Sequence, residues 1–372
     1  MSDCSKKREV GFTLLEMTIA MALGTLVLGA AVQLYSQGVG ATFAVSQRAE
    51  MQQDFRATSN LLTRDLSLAG AGLGNGAAIA LPTATTLPVY GCDQSACHLG
   101  VSNSTSGAYP TQSGAPFLYG LVPGYNGGPT INTPPGQTDV VTVAYTDNTF
   151  LLNCYTATVS TTTTVTFSTP SPLTCSLPSG VTTPQAINDG VVGLTPGDLL
   201  LFTFGSASAV AEVYGSTTTS TTATFGASDP LKMNQPTFAN SLGSHLAAIG
   251  TATRIFVITY YIDATTSPAR LMRQISGHTP MPVTDSVVFM KFSYDLYNDS
   301  TNTIATNQPN PGSGDASDTA SNGLLPNQIT KINILHMATD SALHGTKGYQ
   351  GLDLETSVSA RDLTYNNNYP LH

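Results

Sequence analysis

Hydropathy divides the chain into a uniformly apolar stretch, an amphipathic stretch and a long tract of short alternating segments. From Phe12 to Tyr35 the 24 residues FTLLEMTIAMALGTLVLGAAVQLY contain one acid and no base, the acid being Glu16. At 1.5 Å per residue, a helix over this run crosses a hydrocarbon layer of about 30 Å. No proline falls between Phe12 and Leu81, so nothing stops the helix at the end of the apolar run. Beyond Tyr35 the pattern becomes one-sided. Met51, Phe55, Leu62, Leu66 and Ala69 follow helical spacing, and Arg48, Glu50, Gln52, Gln53, Arg56 and Arg64 fall mostly off that stripe. The run GAGLGNG (Gly70–Gly76) then supplies a stop. The spacing therefore predicts one helix of about 55–60 residues, apolar over 12–35 and docked by one face over 36–70.

The remainder predicts sheet. Residues 71–137 are rich in Gly, Pro, Ser and Thr and read mainly as loops, and residues 138–372 as a β-rich body. Candidate strands are TDVVTVAYT (138–146), TFLLNCYTATV (149–159), TTTTVTF (161–167), a group in 196–214 and 220–225. RIFVITYYID (254–263) is apolar on both faces, which suits a central strand covered on each side. ARLMRQI, DSVVFMKFSYDLY, QITKINILHMATD and LDLETSVSARDL complete the set, and the polar stretch 298–327 reads as an exposed loop. The fold class is α+β: a long N-terminal helix packed on an antiparallel β head with long loops and two β subregions.

Composition moves this picture out of the cytosol. Charged residues make up 10% of the chain, against about 25% in an ordinary soluble domain. The net charge is −9; residues 1–11 carry three bases and two acids, so their removal leaves −10. An acidic chain of this kind offers phosphate backbones no basic stripe, and direct nucleic-acid binding is not expected. Cys4 lies in the N-terminal segment, and Cys92, Cys97, Cys154 and Cys175 lie in the body. Four cysteines in an oxidising compartment allow three pairings; the sequence-local one is Cys92–Cys97 with Cys154–Cys175. Zinc is the competing reading, with His98 nearby, but C-x-x-C spacing is absent.

Charge also orients the apolar helix. Lys6, Lys7 and Arg8 precede it and the first charge after it is Arg48, which places residues 1–11 in the cytoplasm and the body outside. A secretory signal would put its cleavage site after the apolar run and would not carry an acid inside it. Within a membrane Glu16 is costly and calls for a partner, which the segment does not supply.

Gly11-Phe12-Thr13-Leu14-Leu15-Glu16 resembles the prepilin peptidase site of type IV pilins and pseudopilins. The resemblance implies cleavage between Gly11 and Phe12, methylation of the new amine at Phe12, and an assembly role for Glu16 as fifth mature residue. Glu16 of one subunit would then pair with the new ammonium of a neighbour. Leu62–Gly70, TDVVTVAY, PGDLLLF, YYI with RLMRQ, DSVVFMKFSYDLY and LETSVSARDL are in order similar to segments of the PilW family of minor pilins. That similarity implies a minor pilin that helps prime or cap a type IV pilus serving adhesion, twitching motility or DNA uptake. Its partners would be other minor pilins, the major pilin, the prepilin peptidase, the inner-membrane assembly platform and inner-membrane lipid. It would stand in the inner membrane as a single-pass protein with a periplasmic head, and on the cell surface once assembled. A type II secretion pseudopilin shares the N-terminus, and an anchored extracytoplasmic adhesin or enzyme is the third reading.

Chemistry in the body is sparse. G-x-S-x-G, H-E-x-x-H, P-loop and C-x-x-C motifs are absent, and no cofactor, metal or catalytic residue is expected. His336 and His344 are eight apart without a neighbouring acid cluster in sequence. Asp295, Asn298 and Asp299, or Asp315 and Asp318, lack the repeated ligand spacing of a calcium loop and read as solvated acids.

Overall fold

The computed structural model describes residues 12–74, 78–83, 86–100, 104–112, 114–131, 136–173, 175–177, 180–215, 219–298, 301–312, 324–340, 351–360 and 363. Its spine is one helix, α1, Leu14–Ser67. At 1.5 Å per residue that is about 80 Å, more than twice a bilayer's hydrocarbon thickness. The helix ends where the glycine run begins. Leu68 is the C-cap, its N–H reaching back to the carbonyls of Asp65 and Leu66. Gly70 then takes φ +84° and donates to the Ala144 carbonyl at 2.9 Å. A Cβ on Gly120 would stand 2.5 Å from the Gly70 Cα, so a bare backbone on each side lets helix exit and sheet touch.

Among the described residues the strands of the head pair antiparallel, and one isolated bridge, Tyr214–Phe225, is parallel. The main strands are β1 (Leu121–Gly124), β2 (Val140–Thr146), β3 (Thr156–Thr161), β4 (Thr164–Ser168), β5 (Leu199–Phe204), β6 (Ala207–Glu212) and β7 (Thr222–Thr224). They continue with β8 (Ile249–Asp263), β9 (Arg270–Ile275), β10 (Met281–Asp285), β11 (Val287–Asn298), β12 (Thr303–Gln308), β13 (Ile329–Asp340) and β14 (Gly351–Ser359). Strand β8 organises the larger sheet. Its first half pairs with β5 on one edge and β3 on the other, and its second half with β9 and β2. The stretch Arg254–Ile262, apolar on both faces in sequence, lies in this central strand, and most of it is buried. A second sheet runs β12-β11-β13-β14, and α1 packs against β10, β13 and β14.

Two cores form among the described residues. Phe150, Leu152, Tyr155, Phe167, Leu200, Phe202 and Phe225 gather around the first half of β8. Leu62, Leu66, Tyr119, Val141, Tyr260, Met290, Phe292 and Ile334 belong to the other, which takes in the helix. Between them Arg254 meets Asp147 at 2.6 Å and lies over the Phe150 and Phe256 rings.

Two loop expectations change. Residues 71–137 carry short strands besides loops: Ala115–Tyr119 pairs with Ala78–Ala80, and β1 joins the large sheet beside β2. Within 298–327, residues Thr303–Gln308 form β12 against β11. Strands β1 (LVPG) and β12 (TIATNQ) are too short to show a period of two, yet the longer strands β2 and β11 offered each an edge to pair with.

Candidate assembly site on the N-terminal helix

The helix begins with a capping box. Thr13 is the N-cap; its Oγ1 accepts from the Glu16 N–H at 3.3 Å, and Glu16 Oε2 accepts from the Thr13 N–H at 3.0 Å. Thr13 Oγ1 and Glu16 Oε2 are also 3.0 Å apart. A free helix start leaves unpaired N–H groups and a partial positive charge, and an acid three residues in answers both. The sequence reading left Glu16 with no partner inside its segment. Thr13 corrects that: it gives Glu16 hydrogen bonds, though not an opposite charge. Phe12, immediately before the cap, is 86% exposed. Gly11 and the rest of the proposed leader, residues 1–11, lie outside the described residues.

Among the described residues, none covers the apolar half. Every residue from Phe12 to Gly38 is exposed, including Leu14, Leu15, Ile19, Leu26, Val27, Leu28 and Leu34. Three hydroxyls on this stretch are turned inward on the helix itself. Thr18, Thr25 and Ser36 hydroxyls donate to the carbonyls of Leu15, Ala22 and Gln33 at 2.8–2.9 Å. Such back-bonding lets a hydroxyl sit in hydrocarbon without an orphaned donor. This helix half passes the length and composition test for a membrane span.

The other half is bolted to the head. Phe55, Thr58, Leu62, Asp65, Leu66 and Ala69 are buried, so the predicted stripe is the docking face. Burial of each Leu or Phe contributes about 1.5–3 kcal/mol. Asp65 adds a directional contact. Its Oδ2 accepts from the Tyr260 hydroxyl at 2.7 Å and the Arg273 Nε at 2.8 Å, and Arg273 Nε also donates to the Tyr260 oxygen at 3.1 Å. Burial and the adjacent carboxylate push the Tyr260 phenol well above its ordinary range. Burial opposes the charge on Arg273, but the Asp65 carboxylate outweighs it and holds the guanidinium protonated.

Sequence reasoning missed this triad, although its members lie in three of the quoted segments: Leu62–Gly70, YYI and RLMRQ. A signal was present. Asp65 is an acid on an apolar stripe between Leu62 and Ala69, and Arg273 is a base inside an apolar strand. Either one predicts a buried partner.

The remaining candidates scatter over the head. Cys92 and Cys97 are at disulfide distance, 2.03 Å, and Cys154 and Cys175 are likewise joined. Asp295 accepts from Asn307 N at 2.9 Å and Asn333 Nδ2 at 3.0 Å, so it is bound into the sheet. Asp299, Asp315, Asp318 and His344 lie outside the described residues. His336, which has no acid cluster near it in sequence, stands beside Asp353 and Glu355 of the adjacent strand.

Residues 6–32 match the family model of the prokaryotic N-terminal methylation motif. The matched span runs from Lys6 through the Gly11–Phe12 junction and Glu16 to Val32. Neither among curated proteins nor among solved structures does the chain find a match. Motif, apolar helix and antiparallel head together support a type IV pilin-like protein, a component of a pilus or pseudopilus with a membrane-anchoring helix. The motif points to a structural protein rather than an enzyme, and to a prepilin peptidase and other pilus components as its contacts.

Proposed function

We propose that this chain is a PilW-like minor pilin of a type IV pilus. Residues 1–11 are the leader, removed after Gly11, and Phe12 becomes the methylated N-terminus. Residues 12–35 span the inner membrane, 36–70 dock on the head, and 71–137 and 138–372 form the periplasmic body. In the filament, the exposed half of α1 packs among neighbouring helices, and the Phe12 ammonium of one subunit meets Glu16 of another. Pairing removes the cost of an isolated acid in an apolar bundle and fixes the axial register of the helices. The complex so formed primes or caps the pilus for adhesion, twitching or DNA uptake.

The observation that carries this reading is a helix whose exposed apolar half is continuous with a half fixed to a head. A pull on the membrane half is thereby transmitted to the whole subunit. Peptide mass analysis of filament fractions tests the reading: the mature chain starts at methylated Phe12, and Gly11→Ala blocks processing. Filament-borne protein starting at Met1 overturns it. A pseudopilin would share the processing, and the two separate by deletion. Loss of surface pili with normal protein secretion supports the pilus, whereas a secretion defect with pili intact supports the pseudopilus.

A further inference from the structure

The head carries a cluster of metal-binding side chains outside the helix. Asp353 and Glu355 are alternate residues of β14, so both project from one face of that strand, and both are exposed. His336 reaches the same side through an irregularity in β13. Ile334 pairs with Thr356 and Met337 with Leu354, so Leu335 and His336 together stand opposite Glu355. Ile334 and Met337 are both buried. Strict alternation from Ile334 would have turned His336 into the core, and the extra residue turns it out. His336 Nδ1 then lies 2.8 Å from Asp353 Oδ2 and 3.8 Å from Glu355 Oε1. One donor atom from each of the three residues falls within 4.8 Å of the others. The Phe289 ring, 6.4 Å away between centroids, flanks the imidazole.

Charge supplies the second argument. Two carboxylates this close repel, and among the described residues no lysine or arginine forms an ion pair with either one. Lys291 is the register partner of His336 on β11, yet its ammonium is committed to Asp139 at 2.6 Å and Asn126 at 2.5 Å. Two acids converging on one imidazole form a set of donors for a cation, and the donor set selects its kind. Calcium and magnesium prefer oxygen alone, whereas one imidazole with two carboxylates suits zinc and its first-row neighbours. Zinc bonds of about 2.0–2.2 Å to nitrogen and oxygen fit inside a cluster of this span.

We propose that His336, Asp353 and Glu355 bind a divalent transition-metal ion, zinc being the reference ion. The site ties β13 to β14 at the edge of the second sheet. Three protein ligands leave a position open for water or for a side chain of a neighbouring subunit.

The test compares metal content after equilibrium dialysis of the mature full-length chain in detergent against micromolar zinc at slightly alkaline pH. Wild type is expected to retain one equivalent more than His336→Ala, so sites elsewhere cancel in the difference. Affinity at the site should fall by about 100-fold, the upper end of what disturbing even a ligand's supporting group costs. Cobalt loaded in place of zinc should give visible d–d absorption that His336→Ala removes. Circular dichroism in chelator checks that the variant is folded; if it is not, Glu355→Gln, at an exposed position, serves instead. Equal zinc content in wild type and folded variant overturns the site, as does a wild type that retains no zinc.

Discussion

The two halves of α1 have the same backbone and opposite surroundings. Residues 12–38 are exposed along every face, and residues 55–69 press a narrow stripe of buried side chains onto sheet. Each half carries one acid that departs from its local pattern. Glu16 sits in the apolar run, where among the described residues its side chain is hydrogen-bonded by Thr13, which caps it locally. Asp65 sits in the docked stripe, where Tyr260 and Arg273 already satisfy it. A buried acid whose partners are in the same chain is a structural bolt. An acid in an apolar helix whose charge finds no counterpart among the described residues is costly there, and the proposed function gives it a partner from outside. On the proposed reading, stability falls to one half and assembly to the other, and substitutions at the two acids should separate them.

The largest effect is expected at Glu16. Glu16→Ala should enter the membrane at least as well as wild type and still be processed, because an apolar residue replaces a costly acid. Incorporation into sheared pili should fall to near background, because the charge pairing that assembly needs is gone. Quantitative immunoblots of membrane and sheared fractions measure both, and unfolding of the head should not change. Wild-type levels in filaments would break the comparison at its membrane end.

Asp65→Ala should do the converse. It leaves Arg273 and Tyr260 facing an apolar gap, and breaking a buried pair costs about 3–5 kcal/mol, here near 3 because Arg273 still reaches water. Denaturant unfolding of the full chain in detergent should show the helix half losing its hold on the head, with processing at Phe12 unaffected. An unfolding midpoint like that of wild type would show that the apolar stripe alone holds the spine.

A third change tests whether the head can be weakened without touching the helix. Glu212, at the end of β6, is fully buried with Asp229. Glu212 Oε2 accepts from Leu231 N at 3.2 Å, and Asp229 accepts from Met233 and Asn234 N–H groups at 2.6 and 3.1 Å. Burial first, then the Asp229 charge, pushes the Glu212 carboxyl up from 4.5 to about 9, with Lys232 acting weakly the other way. The folded chain therefore keeps a proton that the unfolded chain has released, and stability should fall as pH rises from 4.5 to about 9. The slope is at most about 1.4 kcal/mol per pH unit for one proton. Glu212→Gln should flatten it, measured as unfolding midpoints across that range; an equally steep profile in the variant would assign the proton elsewhere.

How far the sequence disclosed this division depended on range. The helix, its two halves and its glycine stop follow from neighbours within a few residues, and they were legible. Strand β8 was legible because the run 254–263 (RIFVITYYID) reads apolar on both faces. Strands β1 and β12 were not, since what makes them strands is the open edge of a distant partner. The same limit hid the clamp and the His336 cluster. Asp65 meets residues 195 and 208 positions away, and His336 meets acids only after a bulge turns it outward. Local pattern can flag a charge in the wrong place; pairing across the fold names its partner.

The smallest effect belongs to Tyr260→Phe, which probes how the bolt shares its load. The substitution keeps the ring in the core, where Tyr260 is fully buried, and removes one hydroxyl. Asp65 then loses the 2.7 Å bond but keeps Arg273 at 2.8 Å. A hydrogen bond to a charged group contributes about 1.5–3 kcal/mol, and the surviving guanidinium contact places the loss near the lower end, at about 1.5 kcal/mol. Combined with Asp65→Ala, the phenol has no acceptor left to lose, so the double variant should unfold close to the Asp65→Ala single variant. A double-variant cycle in denaturant reads that coupling directly. Strict additivity would mean that the Tyr260 hydroxyl acts through Arg273 alone, and the helix would then be held by an ion pair rather than by a three-membered network.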